Sequence, residues 1–246
     1  MSTYFRTYLL KFGDYVVSLD IDTNTPISTK NGELKVFETP LDWFAYSEDK
    51  TTITGFSDLY NEKYSSITDI VIPSEYSDGT KITTIGENAF EESNITSAII
   101  SDGVTVVDVW SFTNSKIKKL SIPNSVTKIG NAAFAGTKIT ELTIPKSVTE
   151  IGQSAFVTNK NLKTVIFEEG SQLKKISSTL FAQTGITSIK IPASVETIES
   201  YAISDCDDLT EVVFEANSKV KVLDSTVFAR DTNLSVLTFE SGRSKT

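Results

Sequence analysis

Ile122–Phe134 reads IPNSVTKIGNAAF, and the phrase returns 22 residues later as IPKSVTEIGQSAF over Ile144–Phe156. A repeat of this kind has to be settled before any secondary structure, because it decides the fold. The residue that closes the phrase carries the register in both directions: Phe90, Phe112, Phe134, Phe156, Phe181, Ile203 and Phe228, at steps of 22, 22, 22, 25, 22 and 25. The two long steps share one origin. In each, the gap to the next Leu grows by one (Phe156 to Leu162, Ile203 to Leu209). The following turn grows by two, from Ile-Pro to Phe167-Glu168-Glu169-Gly170-Ser171 or Phe214-Glu215-Ala216-Asn217-Ser218. Insertions confined to turns are what stacked coils tolerate, since neighbours must match only where they touch.

Within a unit, Val148, Ile151, Ala155 and Phe156, then Leu162, Val165 and Phe167, are apolar among mostly polar residues. Leu120-Ser121-Ile122, Leu142-Thr143-Ile144 and Ile189-Lys190-Ile191 alternate strictly, which predicts a very short strand with one buried face. One such strand per unit, all running the same way, can pair only with its counterparts in neighbouring units and so builds a parallel sheet. Ile-Gly-x-x-Ala-Phe is too short for a stable helix and predicts one irregular or 3₁₀-like turn per unit.

Ile-Pro-x-Ser-Val-Thr-x-Ile-Gly-x-x-Ala-Phe, followed by Ile/Leu-Thr-x-Leu-x-Ile-Pro, resembles the BspA-like, Treponema-type leucine-rich repeat. Ile53-Thr54-Gly55-Phe56 and VIPSEYSDGTKITTIGENAF (Val71–Phe90) resemble the way such arrays begin. The resemblance covers about residues 53–240 and departs from the pattern at Ile203, at Asp108 for the usual Gly, and at Trp110. It implies a mainly β leucine-rich-repeat solenoid of about seven repeats. It also implies a role in adhesion to a host matrix or neighbouring cell, with a cell-surface or extracellular location.

Residues 1–52 lack the repeat. TYFRTYLLKFGDYVVSLDID and ELKVFETPLDWFAYSED are aromatic-rich, with Gly13-Asp14 and Asn31-Gly32 as turn signals, so antiparallel strands are expected. A first coil exposes an apolar cross-section unless something covers it, which makes this segment a small β-rich N-terminal cap or a separate module. At the other end, Leu237-Thr238-Phe239-Glu240 is followed by a short tail, residues 241–246, that cannot cover a coil; an open edge there suits self-association.

The composition excludes most catalytic apparatus. The 246 residues contain no His and one Cys, which removes Ser-His-Asp and Cys-His nucleophiles, His-based and multi-Cys metal sites, and an intramolecular disulfide. A formal charge of −9 has the wrong sign for a phosphate backbone or an anionic membrane surface, so no nucleic-acid partner is expected. No apolar run approaches a membrane span, so no membrane insertion is expected, and Met1-Ser2-Thr3-Tyr4 does not begin an export signal.

The remaining chemical signals are weak. Asp20-Ile21-Asp22-Thr23-Asn24 starts like a calcium loop, but Thr25 stands where Gly is needed and Asn31 where a bidentate Glu belongs. Asp205, Asp207 and Asp208 crowd one turn, which reads as a solvated acidic turn rather than a cation site. Cys206 occupies the position of Asn159 and Asp231 in other units and reads as a buried thiol. Glu168-Glu169, Glu91-Glu92 and Glu141 are numerous acids with nothing to set a pair across a cleft. Asn94-Ile95-Thr96 and Asn233-Leu234-Ser235 fit the N-glycosylation pattern. No cofactor or metal is expected.

The outward residues of the strands are more informative because the repeat aligns them. One column reads Ser97, Lys119, Glu141, Thr164, Ser188, Glu211, and the next Ile99, Ser121, Thr143, Ile166, Lys190, Val213. Ile99, Ile166 and Val213 are either products of β-propensity or apolar anchors in a polar rim. These twelve residues form the expected ligand face, for a protein on a host or neighbouring cell or, secondarily, a glycan. The alternatives are an assembly subunit of a surface layer or virion and a carbohydrate-active solenoid.

Overall fold

The computed structural model describes residues 7–8, 36–37 and 39–241, and the chain divides into two compact units, Met1–Pro40 and Leu41–Thr246. In the first unit one antiparallel pair is described, β1 (Thr7–Tyr8) with β2 (Val36–Phe37). The calcium-loop reading at Asp20–Asn24 lies outside the described residues, as do most of the strands expected before residue 50 and residues 242–246 of the tail.

The second unit opens with a 3₁₀ turn (Leu41–Trp43), β3 (Phe44–Tyr46) and β4 (Thr52–Phe56), which pair antiparallel. Thereafter the solenoid alternates two kinds of strand. The longer ones are β5 (Asp69–Ile72), β7 (Ser97–Ile100), β9 (Lys119–Ser121), β11 (Glu141–Ile144), β13 (Thr164–Phe167), β15 (Ser188–Ile191), β17 (Glu211–Phe214) and β19 (Val236–Phe239). The shorter ones are β6 (Thr84–Ile85), β8 (Val106–Val107), β10 (Lys128–Ile129), β12 (Glu150–Ile151), β14 (Lys175–Ile176), β16 (Thr197–Ile198) and β18 (Val222–Leu223). All pairings within each kind are parallel. The sequence reading contains only one strand per unit; the second, of two residues with at most one inward apolar side chain, gives no alternation to detect.

Along the short strands the residue after the inward apolar side chain donates its N–H to the preceding coil, as Gly130 does to Val107 O (2.7 Å) and Gly152 to Ile129 O (2.8 Å). A Cβ on Gly130 would meet the Asp108 carbonyl carbon at 2.6 Å, so coils this close require glycine there. The turn that follows is irregular and carries two left-handed residues four apart in successive coils: Trp110 and Asn114, Ala132 and Gly136, Ser154 and Thr158, Thr179 and Gln183, Tyr201 and Asp205. A left-handed backbone costs an L-residue about 1 kcal/mol or more. In return, alternate N–H groups point forward, Phe112 to Ala133 O (2.8 Å) and Phe134 to Ala155 O (2.9 Å), and join the coils on a third side.

Inside, Phe90, Phe112, Phe134, Phe156 and Phe181 are fully buried and stack in one column at 5.1–5.7 Å. The repeat register continues to Phe228, but the stack does not. It stops at Ile203, which has no ring, and Phe228 is only half-buried. Three residues past each column member runs a second interior column, polar this time: Ser115, Thr137, Asn159, Thr184, Cys206 and Asp231, all buried. Thr137 Oγ1 donates to Asn159 Oδ1 (2.9 Å), and Asn159 Nδ2 donates to Phe134 O (3.0 Å).

The two 25-residue steps differ in effect. After the second, β16 and β18 remain paired. At the first, β12 and β14 do not pair, and Ser177 Oγ rather than a backbone N–H donates to Ile151 O (2.5 Å). A cleft of about 300 Å³ opens there, lined by polar side chains including Asn131, Glu150, Gln153, Lys174, Lys175 and Glu199.

Candidate binding face

The long strands form three sheets, β5-β7-β9, β11-β13 and β15-β17-β19, and each sets its part of the expected face in register. Ser97 stands opposite Lys119 and Ile99 opposite Ser121; Glu141 opposite Thr164 and Thr143 opposite Ile166; Ser188 opposite Glu211 and Lys190 opposite Val213. Inward neighbours such as Ala98, Leu142, Val165, Ile189 and Val212 are buried, so the outward set is presented by strands whose other face is fixed in the core. Exposure across the set is uneven. Ile166 is 52% exposed, whereas Ile99 and Val213 are half-buried, as are Ser97, Ser121 and Glu211. Glu141, Thr143, Thr164, Ser188, Lys119 and Lys190 are exposed. Lys190 reaches across the sheet to Glu240 (2.7 Å), and that carboxylate raises the lysine pKa.

The remaining sequence candidates have structural roles. Glu168 Oε2 accepts the N–H of Lys146 (3.1 Å), and Glu215 Oε2 accepts that of Ala193 (3.0 Å); these acids at strand ends tie down the turn of the preceding coil. Arg230 lies next to Asp205, one coil away, with Nη2 to Oδ2 at 2.6 Å, and its guanidinium holds the Asp205 carboxyl below the usual range. Asp208 takes Lys163 (2.6 Å). Among the described residues no group of three or more His, Cys, Asp or Glu is arranged to hold a metal ion. Burial pushes the Cys206 thiol up to about 11, away from thiolate chemistry, and Sγ donates to Phe181 O (3.3 Å). Asn94 and Asn233 are both exposed, and Asn233 Nδ2 donates to Asp207 O (2.6 Å). No helix among the described residues is long and apolar enough to cross a membrane.

Sequence reasoning missed the exposure of two aromatic rings. Trp110 (45% exposed) and Tyr201 (41%) are large rings at the left-handed position. An apolar edge runs along the last described coil, where Val222, Leu223, Val236, Leu237 and Phe239 are all exposed.

The sequence matches the family model described as BspA type Leucine rich repeat region in six copies, over residues 57–172, 83–210 and 127–245. No curated protein matches it. Among solved structures, the leucine-rich repeat protein of T. pallidum is similar at 21% identity, over 82% of this chain and 81% of that one, with a TM-score of 0.56. The pneumococcal vaccine antigen PcpA is similar at 16% identity, over 81% of this chain and 71% of that one, with a TM-score of 0.55. At these identities the likeness concerns the fold.

Proposed function

Because the chain belongs to the BspA-type leucine-rich repeat family, we propose that it is a non-enzymatic binding protein that recognises a protein ligand through the outward face of the long strands. The carrying observation is the placement of Ile166, 52% exposed, opposite exposed Thr143 on paired strands β11 and β13 whose inward Leu142 and Val165 are buried, with exposed Lys190 presented outward in the same way by β15 of the following coil. Apolar anchors within a polar and charged surround are the anatomy of a protein interface. An extended face assembled from independently varying units gives contact area without a catalytic centre. Family membership motivates adhesion at a cell surface as the setting.

The test is capture of a ligand from extracts of candidate host or neighbouring cells by the intact chain, repeated with Ile166→Ser/Lys190→Ser. The double variant should lose the ligand with its melting temperature unchanged, since a solvent-screened surface ion pair such as Lys190–Glu240 contributes little to stability. Loss of the ligand only in a variant altered on the turn side, at Trp110 and Tyr201, would move the binding face. Cleavage of the captured molecule would replace the binding reading with an enzymatic one.

The apolar edge at Val222, Leu223, Val236, Leu237 and Phe239 favours a second reading, in which two copies associate through this edge. Sedimentation of the intact chain across a concentration series tests it, with a monomer at all concentrations as the opposing result.

A further inference from the structure

The net charge of −9 conceals a strip of opposite sign. Three positions per coil, where the turn hands over to the long strand, carry Lys116, Lys118 and Lys119 in one coil, Lys138 with Thr140 and Glu141 in the next, and Lys160, Lys163 and Thr164 in the third. Six of the nine are lysines and one is an acid, and all six lysines are exposed. The coils are adjacent here: Lys138 donates its N–H to Ile117 O (2.8 Å) and Lys163 to Thr140 O (2.9 Å). Lys116, Lys138 and Lys160 each follow their column Phe by four residues, and those rings stack at 5.2 and 5.5 Å, so the three lysines climb the solenoid at roughly one rung each, about 11 Å in all.

Most long cations elsewhere on the solenoid are paired, as Lys128 is with Glu150, Lys175 with Glu199 and Lys221 with Glu196. In the strip, Lys163 is held by Asp208, but Lys116, Lys118, Lys138 and Lys160 have no carboxylate within ion-pairing distance among the described residues. Unpaired ammonium groups on neighbouring rungs repel one another, and an anion along the strip removes that cost.

We propose that this strip binds a short stretch of a linear, sulfated polysaccharide. Three features select this class of polyanion. No aromatic side chain stands among the nine positions, so nothing there offers the stacking surface on which single-stranded nucleic acid is held. No apolar side chain stands among them to enter a lipid interface. The strip is also bounded, by Asn94, Thr96 and Ser97 at the same three positions in the coil before and by Gly185, Thr187 and Ser188 in the coil after, so a long rigid duplex would run past the lysines onto uncharged positions. A flexible saccharide with about one sulfate per sugar fits between them. The strip borders the protein-binding face proposed above and shares Lys119, Glu141 and Thr164 with it, but Ile166 and Lys190 of that face take no part in the strip.

The experiment measures fluorescence anisotropy of a labelled heparin hexasaccharide with the intact chain at about 50 and about 200 mM salt, the range over which counterion release is large. Binding should weaken steeply with salt. Lys116→Ser/Lys138→Ser/Lys160→Ser should lose at least about tenfold in affinity and show a shallower salt slope. The corresponding triple Arg variant should keep binding. Lys128→Ser/Lys175→Ser/Lys221→Ser, which changes net charge equally, should stay within about twofold of the parent, and Ile166→Ser/Lys190→Ser should bind the hexasaccharide like the parent. The proposal is overturned by undetectable binding at low salt, by an equal loss in the two triple Ser variants, or by equal affinity for a single-stranded oligonucleotide or for phosphatidylserine vesicles.

Discussion

At the first coil the end of the phenylalanine column is covered. Phe90 meets Phe56 (4.9 Å) and Phe44 (6.0 Å), Phe56 lies flat on Tyr60 (3.7 Å), and Trp43 stacks on Tyr64 (4.8 Å). At the last described coil Phe239 stacks on Phe214 (4.6 Å) but is 68% exposed, beside exposed Val222, Leu223 and Leu237. The first and last described coils therefore differ, and what separates them is a set of aromatics preceding the phenylalanine column together with an antiparallel strand, β3, on the edge of β4. A coil in a solenoid is stabilised by its neighbours, so the covered end should contribute to global stability while the open one contributes little.

Truncation should give the largest effect. Among the described residues the cover begins with Trp43 and Phe44, in the unit that opens at Leu41, so we propose that the cap is built from residue 41 onward. A chain starting at Leu41 should unfold cooperatively close to the full-length melting temperature. A chain starting after Phe56 uncovers Phe90 and should aggregate or melt far lower. Equal behaviour of the two truncations in calorimetry and light scattering would remove the distinction between the ends.

Single rings sharpen the comparison. Phe44 is 3% exposed, and Phe44→Ala should cost about 3–5 kcal/mol, as should Phe134→Ala in mid-column. Urea denaturation measures both. A loss below about 1 kcal/mol at Phe44 would mean that the cover does not stabilise the stack.

How much of this was legible in the sequence follows from what repeats. The column of Phe90, Phe112, Phe134, Phe156 and Phe181 and the two outward columns recur every coil, so register alone fixed them. The aromatic cover occurs once and has no register, and its residues Trp43 and Phe44 merged with the composition of the segment before them. The short strands escaped because two residues hold no period. The lysine strip escaped because net charge averages Lys116, Lys138 and Lys160 against acids on other sides of the coil. Asp205–Arg230 was invisible because 25 residues in sequence are one rung in space.

A third prediction concerns the polar column near the open end. Asp231 occupies the place of Asn159; its Oδ1 accepts the Cys206 N–H (2.7 Å), but its buried Oδ2 has no partner among the described residues. Burial, helped by the charges of Asp205 and Asp207, pushes its pKa from 3.8 up to about 6. A carboxyl whose folded pKa is raised is disfavoured once ionised, so its effect on stability is absent below about pH 4, grows as pH rises to about 6, and is constant above. Asp231→Asn, able to donate as Asn159 does, should stabilise the chain by about 1 kcal/mol at pH 7 and leave it unchanged near pH 4. Equal effects at both values would assign the change to packing.

The smallest expected effect on stability is at Phe239 itself. Its ring has one stacking partner and two thirds of its surface in water, so little apolar area returns to solvent when it is removed. Phe239→Ser should cost less than about 1 kcal/mol in urea denaturation. Its effect on association should be larger. β19 pairs with β17 on one side, and among the described residues no strand pairs with its outer edge, so Phe239 and Leu237 sit beside unpaired backbone groups. An edge of this kind recruits another chain through both its hydrogen bonds and its apolar side chains. If two copies meet here, Phe239→Ser should shift the sedimentation profile toward monomer at concentrations where the parent associates, while the fold is unaltered. A parent that associates equally with and without Phe239 would place the contact on another surface. A loss of several kcal/mol would mean that the ring is buried in solution, and the two ends would then no longer differ.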